Sequence, residues 1–236
     1  MSLTESHPHV HSEAHLRSSA FIQDVVIGMS DGLTVPFALA AGISGAVHTN
    51  ALVITAGLAE IAAGSIAMGL GGFLSGQTAI EHYESEIKRE YEEIERVPDM
   101  EREEIREVFA EYGLSQRILD EVATEISSDK DRWVDFMMRF ELGLEKPDSN
   151  RARNSALTIG VSYIAGGIVP LIPYMLTIKP SHGLAWSALV TVICLFLFGY
   201  YKSRLTGQDA VRGAFKITAI GALAAGAAFF IARLIT

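Results

Sequence analysis

Two acidic residues lie inside long apolar stretches of this sequence, and their position makes them the first candidates for chemistry. Asp31 precedes Gly32 in the first stretch, and Glu60 lies between Gly57 and Gly64 in the second. An ionisable side chain inside a membrane-spanning segment is energetically costly, and it usually faces the protein interior and serves a function. Both carboxylates are therefore candidate cation ligands, and a protonated, hydrogen-bonded structural role is the alternative for each.

The glycine spacing around Glu60 predicts which way this side chain points. Gly57, Gly64 and Gly71 recur every seven residues, and seven residues of α-helix return to nearly the same face, with a drift of about 20°. Small residues on one face let a neighbouring helix approach closely. We therefore expect these glycines to form one seam, with Glu60 beside it and Met68 on the same face.

Prolines in the apolar stretches predict free backbone acceptors. Pro36 has no N–H, so we expect the carbonyl of Gly32 to lose its helical partner next to Asp31. In transporters, interrupted helices coordinate ions through such carbonyls. The third apolar stretch has two glycines and two prolines within residues 166–173, and we expect it to be interrupted as well.

A second group of candidate ligands lies in the polar segment between the second and third apolar stretches. Three pairs share a helix face at a spacing of three or four residues: Glu90 with Glu93, Glu101 with Glu104, and Met137 with Glu141. Carboxylates suit divalent first-row metals, and a thioether disfavours Mg²⁺ and Ca²⁺. From charge alone, a solvated acidic face explains these glutamates more simply.

The distribution of charge divides the chain into apolar and polar parts. The sequence has 236 residues and a net charge of −9, and residues 81–153 hold 22 of its 28 acidic and 12 of its 19 basic residues. Cys194 is the one cysteine, so an intrachain disulfide is excluded. Four histidines in the first 20 residues could bind metal, but a flexible tail is the simpler interpretation: His7, His9, His11 and His15.

Five apolar stretches are long enough to cross a bilayer core of about 30 Å as helices. They are approximately Val25–Val47, Ala51–Leu74, Ala156–Ile178, Leu184–Tyr201 and Gly213–Ile235. The sequence thus predicts an all-α polytopic membrane protein with a helical insert between membrane helices 2 and 3. The predicted parts are a tail (1–20), membrane helices 1 and 2 (21–80), an acidic helical domain (81–153) and membrane helices 3 to 5 (154–236).

Basic residues at the ends of the stretches predict the orientation of the chain. They concentrate at the ends of the insert and after the fourth stretch: Lys88, Arg89, Arg151, Arg153, Lys202, Arg204 and Arg212. Because cytoplasmic loops carry an excess of Lys and Arg, we expect the N-terminus and the insert on the cytoplasmic side. With five spans, the C-terminus then lies in the lumen.

Helix signals predict the layout of the insert. The second apolar stretch is expected to continue as one helix until Pro98, since proline disfavours helix in the residue before it. Asp99 is the expected N-cap of the next helix, which Gly113 would end. Ser115 is the expected N-cap of a further helix, and a last one is predicted over about Asp129–Leu142.

Several of these motifs together resemble the vacuolar iron transporter family. They are residues 28–37 (GMSDGLTVPF), the stretch from Gly57 through Met68 to Gly72, the Glu-rich insert, and residues 166–174 (GGIVPLIPY). The resemblance extends over the chain from about residue 20. The presence of the insert makes the chain similar to the iron-transporting branch rather than to the nodulin-like relatives.

This resemblance implies a fold, a function and roles for the candidate residues. It implies a homodimer in the vacuolar membrane that exchanges cytosolic Fe²⁺ for vacuolar protons, with no prosthetic group and no nucleic-acid partner. Mn²⁺, Co²⁺, Ni²⁺ and Zn²⁺ are further expected metals. It implies that Asp31, Glu60 and Met68 form the translocation path. It also implies that the insert ligands are Glu90, Glu93, Glu101, Glu104, Met137 and Glu141.

Three other functions compete with this interpretation. A divalent-metal channel would use the same acidic path without proton coupling, and a membrane-anchored metal sensor or buffer would need only the insert. A di-iron oxidase would need Glu-x-x-His pairs on its helices, and no histidine here has Glu three residues before it. We therefore expect a protein that is not an enzyme.

Overall fold

The computed structural model describes residues 15–235, and every regular element within them is helical. The helices are α1 (His15–Ser44), α2 (Asn50–Arg96), α3 (Pro98–Ala110), α4 (Gln116–Ile126), α5 (Lys130–Phe136), a π-helical turn (Met137–Glu141), α6 (Arg151–Leu176), α7 (Pro180–Leu205) and α8 (Ala210–Ile235). Five of them, α1, α2, α6, α7 and α8, are long and apolar enough to cross a membrane. The predicted all-α polytopic fold with five spans is confirmed.

The chain divides into two compact units. One contains the chain up to Gly72 and from Asn154 onward, and we call it the membrane unit; the other is Phe73–Arg153, which we call the insert unit. Helix α2 runs through the boundary without a break, as the absence of Gly and Pro from residue 81 to residue 96 predicted.

Close backbone approach holds the first three membrane helices together. A side chain at Gly28 of α1 would collide with the backbone carbonyl of Ile159 in α6, and one at Gly32 would collide with the carbonyl of Tyr163. Gly57 of α2 packs against Leu171 of α6, where an added Cβ would lie 2.5 Å from the leucine side chain. Glycine at these positions therefore allows the contacts that small-residue seams provide in membrane helices.

The predicted glycine seam of α2 is correct for two of its three members. Gly57 and Gly64 pack against α6, but an added Cβ at Gly71 would meet nothing within 4 Å. Gly72 contacts α6 instead, with Ile159 2.7 Å from its added Cβ. The cause is the drift of about 20° per heptad, which by the third glycine has moved the contact line to the next residue.

The predicted interruptions of the first and third spans do not occur. Helix α1 passes through Pro36, and α6 passes through Pro170 and Pro173. A proline removes one hydrogen bond, and side chains can satisfy acceptors nearby. Here Ser187 of α7 donates to the carbonyl of Pro170 at 2.7 Å. The glycines before these prolines serve packing, because a Cβ at Gly166 would lie 2.9 Å from the amide nitrogen of Leu33.

A polar cluster joins the ends of α1, α2 and α6. Asn50 begins α2, and its amide donates to the carbonyls of Tyr174 and Thr177 at 2.9 and 2.5 Å. The hydroxyls of Ser44 and Tyr174 lie 2.8 Å apart. Since buried polar groups need partners, this cluster fixes the register of the three helices at this end.

The insert unit packs α3, α4, α5 and the π-helical turn around an apolar core. The buried members of this core are Ile94, Ile105, Ala123, Trp133, Val134, Phe136, Met137 and Met138. Pro98 lies in the first turn of α3 and Val97 is its N-cap residue, so the predicted cap Asp99 lies inside the helix. Ser115 is in the N-cap position of α4 but makes no capping hydrogen bond, whereas the Asp129 carboxylate accepts one from the amide of Arg132.

Candidate metal-binding sites

In the membrane unit, the Glu60 carboxylate is held by one hydrogen bond. The Tyr163 hydroxyl of α6 donates to Oε1 of Glu60 at 2.5 Å. The same hydroxyl lies against Gly64, where any added side chain would collide with it. The other oxygen, Oε2 of Glu60, is buried and has no hydrogen-bond partner among the described residues. A buried acceptor without a donor is uncommon in proteins and requires an explanation.

Asp31 lies next to this pair on α1. Its neighbour Gly32 touches the backbone of Tyr163, and the Asp31 carboxylate is close enough to Tyr163 to interact with it electrostatically. Asp31 shares its side of α1 with Ile27 and Val35, and both of these are exposed in the single chain. The structure thus brings Asp31 and Glu60 close to the same tyrosine.

Met68 lies further along α2 and outside this pair. It is eight residues from Glu60, which corresponds to about 12 Å along a helix, and its side chain is partly buried. At that separation, Met68 and Glu60 cannot bind the same ion. Of the three predicted path residues, two are therefore neighbours, and Met68 is a separate position on the same helix.

In the insert unit, two of the predicted ligands are buried carboxylates. Glu90 of α2 is 1% exposed and Glu101 of α3 is 4% exposed. Oε2 of Glu90 is buried without a hydrogen-bond partner in the described part of the chain. The membrane unit and the insert unit thus each contain one glutamate with an unpartnered buried oxygen.

The insert glutamates lie close enough together to repel one another. Burial, together with the negative charges of Glu104, Glu90, Glu93 and Glu141, raises the pKa of Glu101 to about 7. Burial also raises the pKa of Glu104 and of Glu141. A divalent cation at this position would relieve both the desolvation and the repulsion.

The remaining insert residues are placed less directly for binding. The Glu93 carboxylate forms ion pairs with Arg89 at 3.3 Å and with Arg96 at 3.5 Å, so it would have to leave them to bind a metal. Met137 is fully buried in the insert core and opens the π-helical turn that Glu141 closes. Such π-helical turns occur often at functional sites.

Within residues 15–235, no three His, Cys, Asp or Glu side chains are grouped tightly enough to hold a metal ion. The insert carboxylates are therefore neighbours that would need to converge on an ion. Of the N-terminal histidines, His7, His9 and His11 lie outside the described residues, as does the side chain of His15.

Sequence reasoning missed two polar residues of the membrane unit. Tyr163 was overlooked, although a tyrosine within an apolar span usually has a hydrogen-bond partner, and this could have marked it. Asp24 is buried in α1, and it was overlooked because the predicted first span began at Val25, whereas the observed span begins at Ala20.

Comparison with known proteins gives consistent matches over the whole length. A family model described as the VIT family matches residues 22–233. "Vacuolar iron transporter 1" of Oryza sativa subsp. japonica is 50% identical over 230 residues, covering 98% of this chain and 91% of the relative. "Vacuolar iron transporter 1" of Arabidopsis thaliana is 48% identical, covering 95% and 90%. "Protein CCC1" of Saccharomyces cerevisiae is 39% identical, covering 91% and 69%. The chain, with its five spans and its helical insert, belongs to the VIT family.

Proposed function

We propose that this protein is a transporter, and not an enzyme, that moves Fe²⁺ from the cytosol into the vacuole in exchange for protons. One observation supports this most directly: Glu60 in the membrane unit and Glu90 in the insert unit each keep one buried carboxylate oxygen without a donor. Such an oxygen is suited to receive a proton or a metal cation. The names of the relatives supply iron as the metal and the vacuole as the compartment.

The insert unit has the chemistry of a reversible metal collector. Its six proposed ligands are five carboxylates and one thioether, a set that suits Fe²⁺ and also Mn²⁺, Co²⁺, Ni²⁺ and Zn²⁺: Glu90, Glu93, Glu101, Glu104, Met137 and Glu141. Because Glu101 ionises only near neutral pH, metal binding there releases a proton and stays weaker than at a fully ionised site. Reversible capture is what a collecting domain requires.

The membrane unit has the chemistry of an exchange site. Asp31 and Glu60 both lie close to Tyr163. A membrane carboxylate can hold a proton or a cation, and the two compete for it. Iron that enters past Met68 would bind after these carboxylates lose their protons. Protons from an acidic lumen would then displace it, and this competition couples the two flows.

A second copy of the chain fits the exposed side of α1. Asp31 lies beside Ile27 and Val35, each of which is 44% exposed in the single chain. Exposed apolar side chains can face lipid, but a partly buried carboxylate cannot do so cheaply. We therefore propose a homodimer that covers Asp31. From the distribution of Lys and Arg, we also propose that the N-terminus and the insert lie in the cytosol and the C-terminus in the lumen.

The test is Fe²⁺ uptake into liposomes by the purified full chain and by two variants, Asp31→Asn and Glu60→Gln. Each variant keeps the side-chain shape but cannot ionise, so we expect uptake to fall to the background of empty liposomes. Asp99→Asn is the control, because this carboxylate of the insert unit is almost fully exposed. Normal uptake by Asp31→Asn, with the folded helical content retained, would show that the mechanism is wrong.

A further inference from the structure

A cavity of about 630 Å³ lies between α1, α7 and α8 in the membrane unit. Three basic residues from the α7–α8 end of the unit line it: Lys202, Arg212 and Lys216. Two carboxylates also line it, Asp31 and Asp209. The volume is within the range of about 300–1,000 Å³ that is usual for small-molecule sites.

The three basic side chains have no carboxylate partner within the described residues. None of them forms an ion pair there, although both Asp31 and Asp209 line the same cavity. Asp209 caps α8, since its Oδ1 accepts from the amide of Arg212 at 2.8 Å. The start of α8 adds the partial positive charge of a helix N-terminus. This end of the cavity therefore has an excess of positive charge.

Away from the basic end, the wall formed by α1 carries polar side chains, namely Ser30, Asp31 and Thr34, whereas the wall formed by α8 beyond Lys216 is apolar and reaches deep into the span. Along α8 the cavity extends from Arg212 to Ala224, which corresponds to about 18 Å of helix. Ile217 and Ile220 of α8 also line it, and Ile220 is 57% exposed. Because these side chains belong to a membrane-spanning helix, this side of the wall suits an acyl chain. A ligand that fills the cavity would be charged at one end and apolar along its length.

This chemistry excludes the transported metal as the ligand of the basic end. Three cations would repel Fe²⁺, whereas they would attract an anion with several acceptor oxygens. Basic residues near a membrane surface are often only topological anchors. Arg204 is such a residue here: it lies in the last turn of α7 but does not line the cavity. Lys202, Arg212 and Lys216 differ from Arg204 because they line the cavity.

We propose that the cavity between α1, α7 and α8 binds an anionic phospholipid, with its phosphate held by Lys202, Arg212 and Lys216. Basic pockets between membrane helices bind phosphate-bearing headgroups in this manner. The acyl chains would lie along Ile217, Ile220 and Ala224 of α8, away from the side of α1 that the second copy of the chain would cover. In the orientation proposed above, the lipid belongs to the cytosolic leaflet. The inference does not depend on which ion the protein transports.

The test measures binding of dioctanoyl phosphatidic acid to the full chain in a neutral detergent, by microscale thermophoresis. We expect saturable binding, and we expect dioctanoyl phosphatidylcholine to bind at least about tenfold more weakly. Each basic residue near a headgroup contributes on the order of 1 kcal/mol, or about fivefold in affinity. The triple variant Lys202→Gln, Arg212→Gln and Lys216→Gln should thus lose about a hundredfold. Arg204→Gln should bind like the unmodified chain, and Lys216→Arg should retain binding because it keeps the charge.

The outcomes distinguish a lipid-binding site from a site for a soluble anion and from the absence of a specific site. If inorganic phosphate displaces the lipid at a similar concentration, the cavity takes a soluble anion and the lipid proposal is overturned. If Arg204→Gln weakens binding as much as Lys216→Gln, only general surface charge is involved and the cavity has no role. Thermal unfolding of each variant checks that the fold persists, and Lys216→Arg keeps the test decisive if the triple variant does not fold.

Discussion

At the scale of single residues, the central feature is a carboxylate that is only half satisfied. Glu60 accepts one hydrogen bond from Tyr163, and its second oxygen is buried without a donor. A buried acceptor that is left without a donor costs about 1–3 kcal/mol. The unpartnered oxygen of Glu60 is therefore a suitable place for a cation ligand, which agrees with the proposed exchange.

Replacing Tyr163 with Phe tests the role of its hydroxyl. The variant removes the donor to Glu60 but keeps the ring that packs against Gly64. We expect Fe²⁺ uptake to fall between about tenfold and a hundredfold, since the loss of a hydrogen bond to a charged group costs about 1.5–3 kcal/mol. Uptake into liposomes at several Fe²⁺ concentrations measures this loss.

Tyr201→Phe is the matched control for this change. Tyr201 is also in a membrane helix, but its side chain is 60% exposed and no hydrogen bond is recorded for its hydroxyl in the described part of the chain. Fe²⁺ uptake by Tyr201→Phe should equal that of the unmodified protein. Equal uptake by Tyr163→Phe would mean that the hydroxyl does not position Glu60 for transport.

The raised pKa of Glu101 predicts a pH dependence for metal binding by the insert unit. With a pKa of about 7, this carboxyl is mostly protonated at about pH 6 and mostly ionised at about pH 8. We expect Co²⁺ affinity, measured by titration calorimetry on the full chain, to rise about tenfold between these values for one displaced proton. Glu101→Gln should bind more weakly and show a smaller rise. An affinity that does not change with pH would contradict the placement of Glu101 among the ligands.

The same pKa determines the sign of the effect on stability. The pKa of Glu101 in the folded protein, about 7, is above the usual value of 4.5, so the folded state binds this proton more tightly than the unfolded state. Its contribution to stability is complete below about pH 4.5 and is lost as the pH rises through about 7. The metal-free insert unit should therefore become less stable as the solution approaches neutral pH.

At the scale of helices, the glycines of α2 show which contacts hold the membrane unit together. Gly64 lies directly against the Tyr163 hydroxyl, whereas Gly71, one heptad later, has open space around it. Both glycines belong to the same seven-residue repeat and lie on the same helix. They differ only in the neighbour that the fold supplies.

Substituting Ala at these two positions tests the packing of α2 on α6. Gly64→Ala should displace the Tyr163 ring and weaken its hold on Glu60, because a Cβ there collides with the hydroxyl. We expect lower uptake and an unfolding free energy reduced by about 1–3 kcal/mol, as for other overpacked sites. Gly71→Ala should leave uptake unchanged and stabilise α2 slightly, since Ala favours helix more than Gly by about 1 kcal/mol. Thermal unfolding and uptake of both variants give the comparison, and equal effects would contradict the assigned contacts.

Sequence patterns predicted the helices better than the continuity of these helices at proline and the contacts between them. Apolar length is enough to identify five spans, and an ionisable residue in such a span stands out, so Asp31 and Glu60 could be found directly. The continuity of α1 through Pro36 and of α6 through Pro170 could not be predicted, because packing between membrane helices, and not the local sequence, decides whether a helix tolerates proline. The partner of Glu60 is 103 residues away along the chain, and only the packing of α6 on α2 brings it there.

At the scale of the whole molecule, the two compact units have different proposed roles: the membrane unit transports the metal and the insert unit collects it. The membrane unit contains Asp31 and Glu60, and the insert unit contains the buried pair Glu90 and Glu101. If the insert only collects metal, transport should survive its loss at a reduced rate. If the insert were itself the functional part, as in a sensor or buffer, the membrane unit would do nothing alone.

Replacing residues 81–153 with a short Gly-Ser linker distinguishes these roles. We expect Fe²⁺ uptake to persist at high Fe²⁺ but to fall several-fold at low Fe²⁺, because local collection matters only when metal is scarce. The membrane unit keeps its own packing contacts, such as those of Gly28 and Gly57 with α6. Uptake into liposomes across a range of Fe²⁺ concentrations measures the change. Complete loss of uptake by a folded variant would favour the sensor or buffer.

The most direct test of proton-coupled iron transport is Fe²⁺ uptake by the purified full chain in sealed liposomes, with an acidic or a neutral interior. The proposed exchange predicts rapid uptake only with the acidic interior, together with a rise of the internal pH as iron enters. Equal uptake under both conditions would contradict proton coupling and indicate a metal channel. No uptake of any divalent metal would contradict transport itself.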